Sequence, residues 1–177
     1  MIPNTLLPEQ YRADAFIAGG FAACPALASD IDVWIPVSPG TCNAARDEIL
    51  QYLRETQDNF SEQDGDTSPR GRIQHNVALA NSQLLSTFEG YHMVLGLRRV
   101  ATVNVVGASL PYHLIVVEGS LDDVLSSFDI STHQVALTPK GVVKGADWTS
   151  IFEPPVVITE KYTTPQRLEK IRARYAR

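Results

Sequence analysis

The stretch IAGGFAACPALASDIDVWIPV, Ile17 to Val37, decides how this chain is read. A short apolar strand that starts at Ala15 breaks at Gly19-Gly20, and the small residues after the break suit the first turns of a helix. A second strand runs from Asp30 to Val37. Alternation of period two sends Ile31, Val33 and Ile35 to one face, and Asp30, Asp32 and Trp34 to the other. Pro36 and Pro39-Gly40 end it. Both carboxylates of Asp-x-Asp therefore emerge on one side, about 7 Å apart, where they can converge on one or two hard cations. A glycine break before a helix offers bare backbone N–H groups to phosphate oxygens. Gly-Gly alone marks a turn, and Asp-x-Asp alone marks an exposed polar face. Their order and spacing, with Ser29 directly before the acids, is what makes a site. Such parts fit phosphoryl transfer, in which two magnesium ions activate an attacking hydroxyl and neutralise the leaving pyrophosphate.

Outward from this core, a helix is predicted over Asn43 to Gln57, with Ala45, Ile49, Leu50 and Leu53 at helical spacing and Arg46 on a neighbouring stripe. Residues 58–72, DNFSEQDGDTSPRGR, are polar and read as a long surface loop. Strands follow, centred on MVLGL, ATVNVV and HLIVV, the last two forming a hairpin turned by Gly107 to Pro111. Ser120 caps a short helix, and Asp123 three residues on completes a capping box. That helix ends near Phe128, and Asp129 opens a strand, DISTHQVAL. In the tail, Thr163 to Arg177, Thr164 is the expected N-cap and Pro165 the first helical residue. The fold class is mixed α/β (α+β), a largely antiparallel sheet flanked by helices, because its strands are mostly adjacent in sequence.

With 177 residues the chain is long enough for one domain, which buries roughly 70 % of its unfolded surface. Its net charge of -5 argues against binding nucleic acid through overall charge. Cys24 and Cys42 lie in no metal-type spacing and read as reduced, partly buried thiols of a cytoplasmic protein. No apolar run reaches the ~18 residues needed to span a bilayer, and the N-terminus lacks the character of a signal peptide. The expectation is a soluble protein with no membrane partner.

Gly19-Gly20, nine intervening residues, then Asp30-Ile31-Asp32 and an apolar strand resemble the motif of the DNA polymerase beta-like nucleotidyltransferase superfamily. The stretch LPYHLIVVEGSLDDVLSSFDISTHQVAL is similar to small nucleotidyltransferase-like proteins of phages and large viruses, and TTPQRLEKIRAR resembles their closing basic helix. The resemblance covers most of the chain and implies a single nucleotidyltransferase-like domain over residues 1–177, with a basic helix at 163–177. It implies Asp30 and Asp32 as ligands of Mg²⁺ (or Mn²⁺), with Gly19, Gly20 and Ser29 at the triphosphate of an NTP. A third acid belongs on a later strand. Asp129 is favoured, on the face of Ser131 and His133, and would serve both as metal ligand and in activating the hydroxyl. Glu118 is the alternative; its other reading is a solvated acid in a turn. Asp122 and Asp123 are explained by the first turn of a helix.

The implied activity moves a nucleoside monophosphate from an NTP to an acceptor hydroxyl, releasing pyrophosphate. The acceptor is open between RNA such as tRNA, a protein and a small molecule, and the location is cytoplasmic, the host cytoplasm for a phage protein. The same features also fit a catalytically silent nucleotide- or partner-binding protein, or a structural component of a phage or complex. His75, His92, His113 and His133 show no ligand spacing and read as surface or half-buried strand residues, the alternative for His133 being a place near the site. Arg70 and Arg72 lie in the polar loop, where they add solubility or close over phosphates. Arg98-Arg99 straddle a strand. The basic face of the tail, Arg167, Lys170, Arg172, Arg174 and Arg177, is either solvated or touches an acceptor.

Overall fold

The computed structural model describes residues 1–62, 97–157 and 165–175. In chain order the elements are α1 (Glu9–Arg12), β1 (Phe16–Ala18), α2 (Gly20–Ala23), β2 (Ile31–Val37), α3 (Cys42–Thr56), β3 (Phe60–Glu62), β4 (Arg98–Val103), β5 (Tyr112–Glu118), α4 (Leu121–Ser127), β6 (Val135–Thr138), β7 (Gly141–Lys144) and α5 (Pro165–Tyr175). Among the described residues the strands form one sheet in the order β3-β4-β5-β2-β1-β6-β7. Neighbours run antiparallel except β2 and β5, which are parallel.

The alternation read along β2 sorts its residues onto two separate cores. Ile31, Val33 and Ile35 pack with Ala45, Ile49 and Leu53 of α3, beside Leu6 and Leu7. Trp34 packs on the opposite face with Phe16, Ile115, Val124, Leu125 and Phe128. Fully burying each large side chain contributes about 1.5–3 kcal/mol, so a slip of one residue along β2 would cost both cores at once. In α3 the buried positions are Cys42, Ala45, Ile49 and Leu53, one stripe of the predicted helix. Tyr11 ties α1 to this layer by donating to Glu48 at 2.6 Å. Burial first, and then the Glu48 carboxylate, push the Tyr11 phenol up to about 12.

The predicted hairpin is present: β4 and β5 pair antiparallel, with the register shifting between Arg99 and Ala101. This bulge lets Val100 and Ala101 both face the α3 core. Arg98 and Arg99 straddle the strand as expected, Arg98 opposite Val116 and reaching Asn43, Arg99 opposite Ile115 and bonding Thr102. The capping box on α4 is complete, with Ser120 accepting from the Asp123 backbone N–H and Asp123 accepting in return from the Ser120 N–H. Both cysteines are buried free thiols.

Two expectations are corrected. Phe60–Glu62, placed in the polar loop, form an edge strand on β4, since strand pairing satisfies their backbone groups despite polar side chains. Asp129 does not open a strand. Phe128 to Ile130 make only isolated pairings, Ser131–His133 form a 3₁₀ turn, and the strand begins at Val135. Residues 63–72 of the polar loop, the MVLGL strand before Leu97, and Arg70, Arg72, His75, His92 and Thr164 lie outside the described residues.

Candidate metal centre

Parallel pairing of β2 with β5 sets Asp32 opposite His113. Both project to the face of Trp34 and Ile115, and Asp30, one alternation back, reaches the same place. The Nδ1 atom of His113 lies 3.3 Å from Oδ1 of Asp32 and 3.7 Å from Oδ2 of Asp30. One ligand atom from each of the three side chains can be chosen so that all lie within 4.8 Å of one another, an arrangement able to hold a metal ion. Asp32 and His113 are half-buried, at 17 % and 18 % exposed, whereas Asp30 at 41 % opens the group to solvent. Two carboxylates and an imidazole, held close but reachable from solution, fit a divalent cation.

The glycine break stands against this group. Gly19 has φ 87° and ψ −142°, a conformation close to glycine alone. A Cβ built on it would meet the Phe128 ring at 3.5 Å and Oδ2 of Asp32 at 3.9 Å, so the turn passes directly over the Asp32 carboxylate. The expectation that both glycines offer bare N–H groups is corrected for Gly19, whose N–H donates to the Val135 carbonyl at 3.4 Å. Beside Gly20 lies the guanidinium of Arg174, whose Nη1 is 3.3 Å from a Cβ built there. Ser29, at the bend before β2, is exposed.

Asp129, expected as the third ligand, is elsewhere in chemistry if not in sequence. It is fully buried, and Arg167 clamps both its oxygens, Nε at 2.8 Å and Nη2 at 2.9 Å. A buried carboxylate needs such a partner, and a planar guanidinium satisfies it in a fork. The pair fastens α5 to the Phe128–His133 segment. Asp129 is not among the three residues whose ligand atoms converge. Glu118 accepts the Gly40 N–H at 2.8 Å and is likewise not among the three residues whose ligand atoms converge. His133, expected at the surface or half-buried, is instead buried and hydrogen-bonded to the Tyr175 hydroxyl at 3.1 Å. Its pKa is lowered to about 4, by burial first and then by Arg167 and Arg174, against the opposing pull of Asp129.

The histidine that does join the acids is His113, which the sequence reading passed over. Its signal was present: PYHLIVV and DIDVWIPV are apolar strands of matching length, and parallel alignment puts His113 level with Asp32. Thr102, opposite His113 on β4, accepts a hydrogen bond from the Arg99 guanidinium at 3.0 Å. Among the described residues no helix is long and apolar enough to cross a membrane. No protein-family model, no curated protein and no solved structure matches this chain.

Proposed function

We propose that this chain is a metal-dependent nucleotidyltransferase that moves a nucleoside monophosphate from an NTP to an acceptor hydroxyl. The observation that carries the reading is the convergence of Asp30, Asp32 and His113 beneath the Gly19-Gly20 turn. Asp30 and Asp32 would hold a divalent cation, Mg²⁺ or Mn²⁺. Bound there, the cation supplies charge for the triphosphate and lowers the pKa of the attacking hydroxyl. The chain's own residues do the rest by position. Gly19 brings the backbone turn close to the Asp32 carboxylate, and Gly20 brings it beside the Arg174 guanidinium, where a phosphate would find a cation. That guanidinium adds positive charge for an anionic substrate. The acceptor oxygen attacks the α-phosphorus, its proton passes to solvent water at the open Asp30 side of the group, the bond from the α-phosphorus to the bridging oxygen breaks, and pyrophosphate departs carrying that oxygen.

A direct test supplies the protein with α-phosphate-labelled NTPs, Mg²⁺ or Mn²⁺, and pools of tRNA, protein and small-molecule hydroxyl acceptors. Label transfer with matching pyrophosphate release, lost in Asp30→Asn/Asp32→Asn, is the expected result. No transfer to any pool would remove the enzyme reading. A second reading, a nucleotide-binding protein without transfer, draws on the sequestration of Asp129 by Arg167, which leaves two carboxylates in the cluster. It predicts nucleotide binding in the same assay with no pyrophosphate.

A further inference from the structure

We propose that His113 is itself a metal ligand, and that the site therefore selects a nitrogen-accepting transition ion of the Mn²⁺ or Zn²⁺ class over Mg²⁺. The inference deepens the metal part of the function above and needs nothing of its nucleotide part.

Magnesium takes oxygen ligands in a strict octahedron and sheds water reluctantly, whereas imidazole suits Zn²⁺ and the later first-row ions. Mn²⁺, though at home with oxygen, bonds an imidazole nitrogen more readily than Mg²⁺ does. A site of two carboxylates alone would accept either. Adding an imidazole nitrogen shifts the preference, because the transition ion gains a bond that Mg²⁺ exploits poorly. The His113 ring is already placed for that role. An ion holding its ligands at about 2.1 Å spaces them about 3.0 Å apart in an octahedron and about 3.4 Å apart in a tetrahedron. Nδ1 of His113 stands 3.3 Å from Asp32 and 3.7 Å from Asp30, so the three groups need only small side-chain adjustments to share one ion. The strand pair holds the Asp32–His113 part of this spacing, while Asp30 stands at the bend just before β2. Asp32 and His113 occupy one register position of a parallel pair that continues unbroken from Ile31 to Val37. Ligands fixed by the scaffold in this way discriminate between ions more sharply than ligands on loops. The competing account is His113 hydrogen-bonded to the two carboxylates with no ion, and the experiment separates the two.

The full-length protein, stripped with a chelator and free of nucleotide, is titrated with Mn²⁺ at neutral pH and followed by continuous-wave and pulsed electron paramagnetic resonance. The expected result is a bound Mn²⁺ that shows hyperfine coupling to a directly bonded ¹⁴N and resists a hundredfold molar excess of Mg²⁺. His113→Ala should lose the nitrogen coupling and weaken Mn²⁺ binding tenfold or more. His113→Asp, which returns an oxygen ligand, should bind Mn²⁺ without the nitrogen coupling and yield it to Mg²⁺ readily. Circular dichroism of each variant establishes that it is folded. Mn²⁺ binding without nitrogen coupling in the wild type would overturn the proposal, as would easy displacement by Mg²⁺ or no Mn²⁺ binding at all. Its fate is separable from that of the transferase. Nitrogen-coupled Mn²⁺ with no response to any NTP would sink the transferase alone, and Mg²⁺-supported transfer without nitrogen coupling would sink this inference alone.

Discussion

Asp32 and His113 come from strands 81 residues apart, yet they sit side by side at one register position of the sheet, 3.3 Å between Oδ1 and Nδ1. That contact joins the most informative motif of the sequence to a residue no local pattern marks. It also sets the first prediction. The wild type should be stabilised by NTP with Mn²⁺, by about 5–10 °C at saturating ligand for a chain of this size. Asp30→Asn/Asp32→Asn should show no such shift in a thermal-shift scan across the four NTPs. Equal shifts in both proteins would show that these acids do not hold the metal–nucleotide complex.

Gly19 bends the chain over Asp32 with a positive φ that other residues adopt only under strain. Gly19→Ala should therefore cost about 2 kcal/mol, a fall in Tm of about 4–8 °C, although the added methyl meets Phe128 only at ordinary contact distance. Ala at Gly40, where a Cβ has open space but φ is also positive, separates backbone strain from crowding. A Gly19→Ala protein as stable as wild type would show that the turn relaxes without penalty.

The Asp129–Arg167 fork predicts a structural rather than a metal-binding role for Asp129. Removing either partner strands the other charge in the interior, at about 3–5 kcal/mol in chemical denaturation. The Asp129→Asn/Arg167→Gln double variant should be less destabilised than the two single changes added together. Whatever fraction remains folded should bind Mn²⁺ as the wild type does. An Asp129→Asn protein of normal stability that has lost Mn²⁺ would return Asp129 to the metal centre.

His133 makes stability depend on mildly acidic pH. In the unfolded chain it takes up its proton near pH 6.5, but in the fold, buried beside Arg167 and Arg174 and bonded to Tyr175, only near about 4. Between those values the unfolded state binds the extra proton, so stability is full above about pH 6.5 and falls as pH drops towards 4. The total loss is roughly 3 kcal/mol. His133→Phe should flatten this part of the Tm-against-pH curve, whatever it does to the absolute Tm. A slope unchanged by the substitution would show that other groups produce it.

Local pattern in the sequence was enough to determine much of this protein. Alternation in DIDVWIPV sorted Ile31 to Ile35 of β2 onto their two faces, the Gly-Gly break marked the turn after β1, and Ser120 with Asp123 announced the start of α4. Each depends on residues within a few positions of one another, where period and capping chemistry act directly. Only the tertiary structure decided the rest. Which strand lies beside β2, and in what direction, is settled by how two cores pack on the sheet, and that choice brought His113 to the acids. That Asp129 is buried against Arg167, 38 residues further on, was likewise decided by the fold, because a buried carboxylate needs a guanidinium that only tertiary packing delivers.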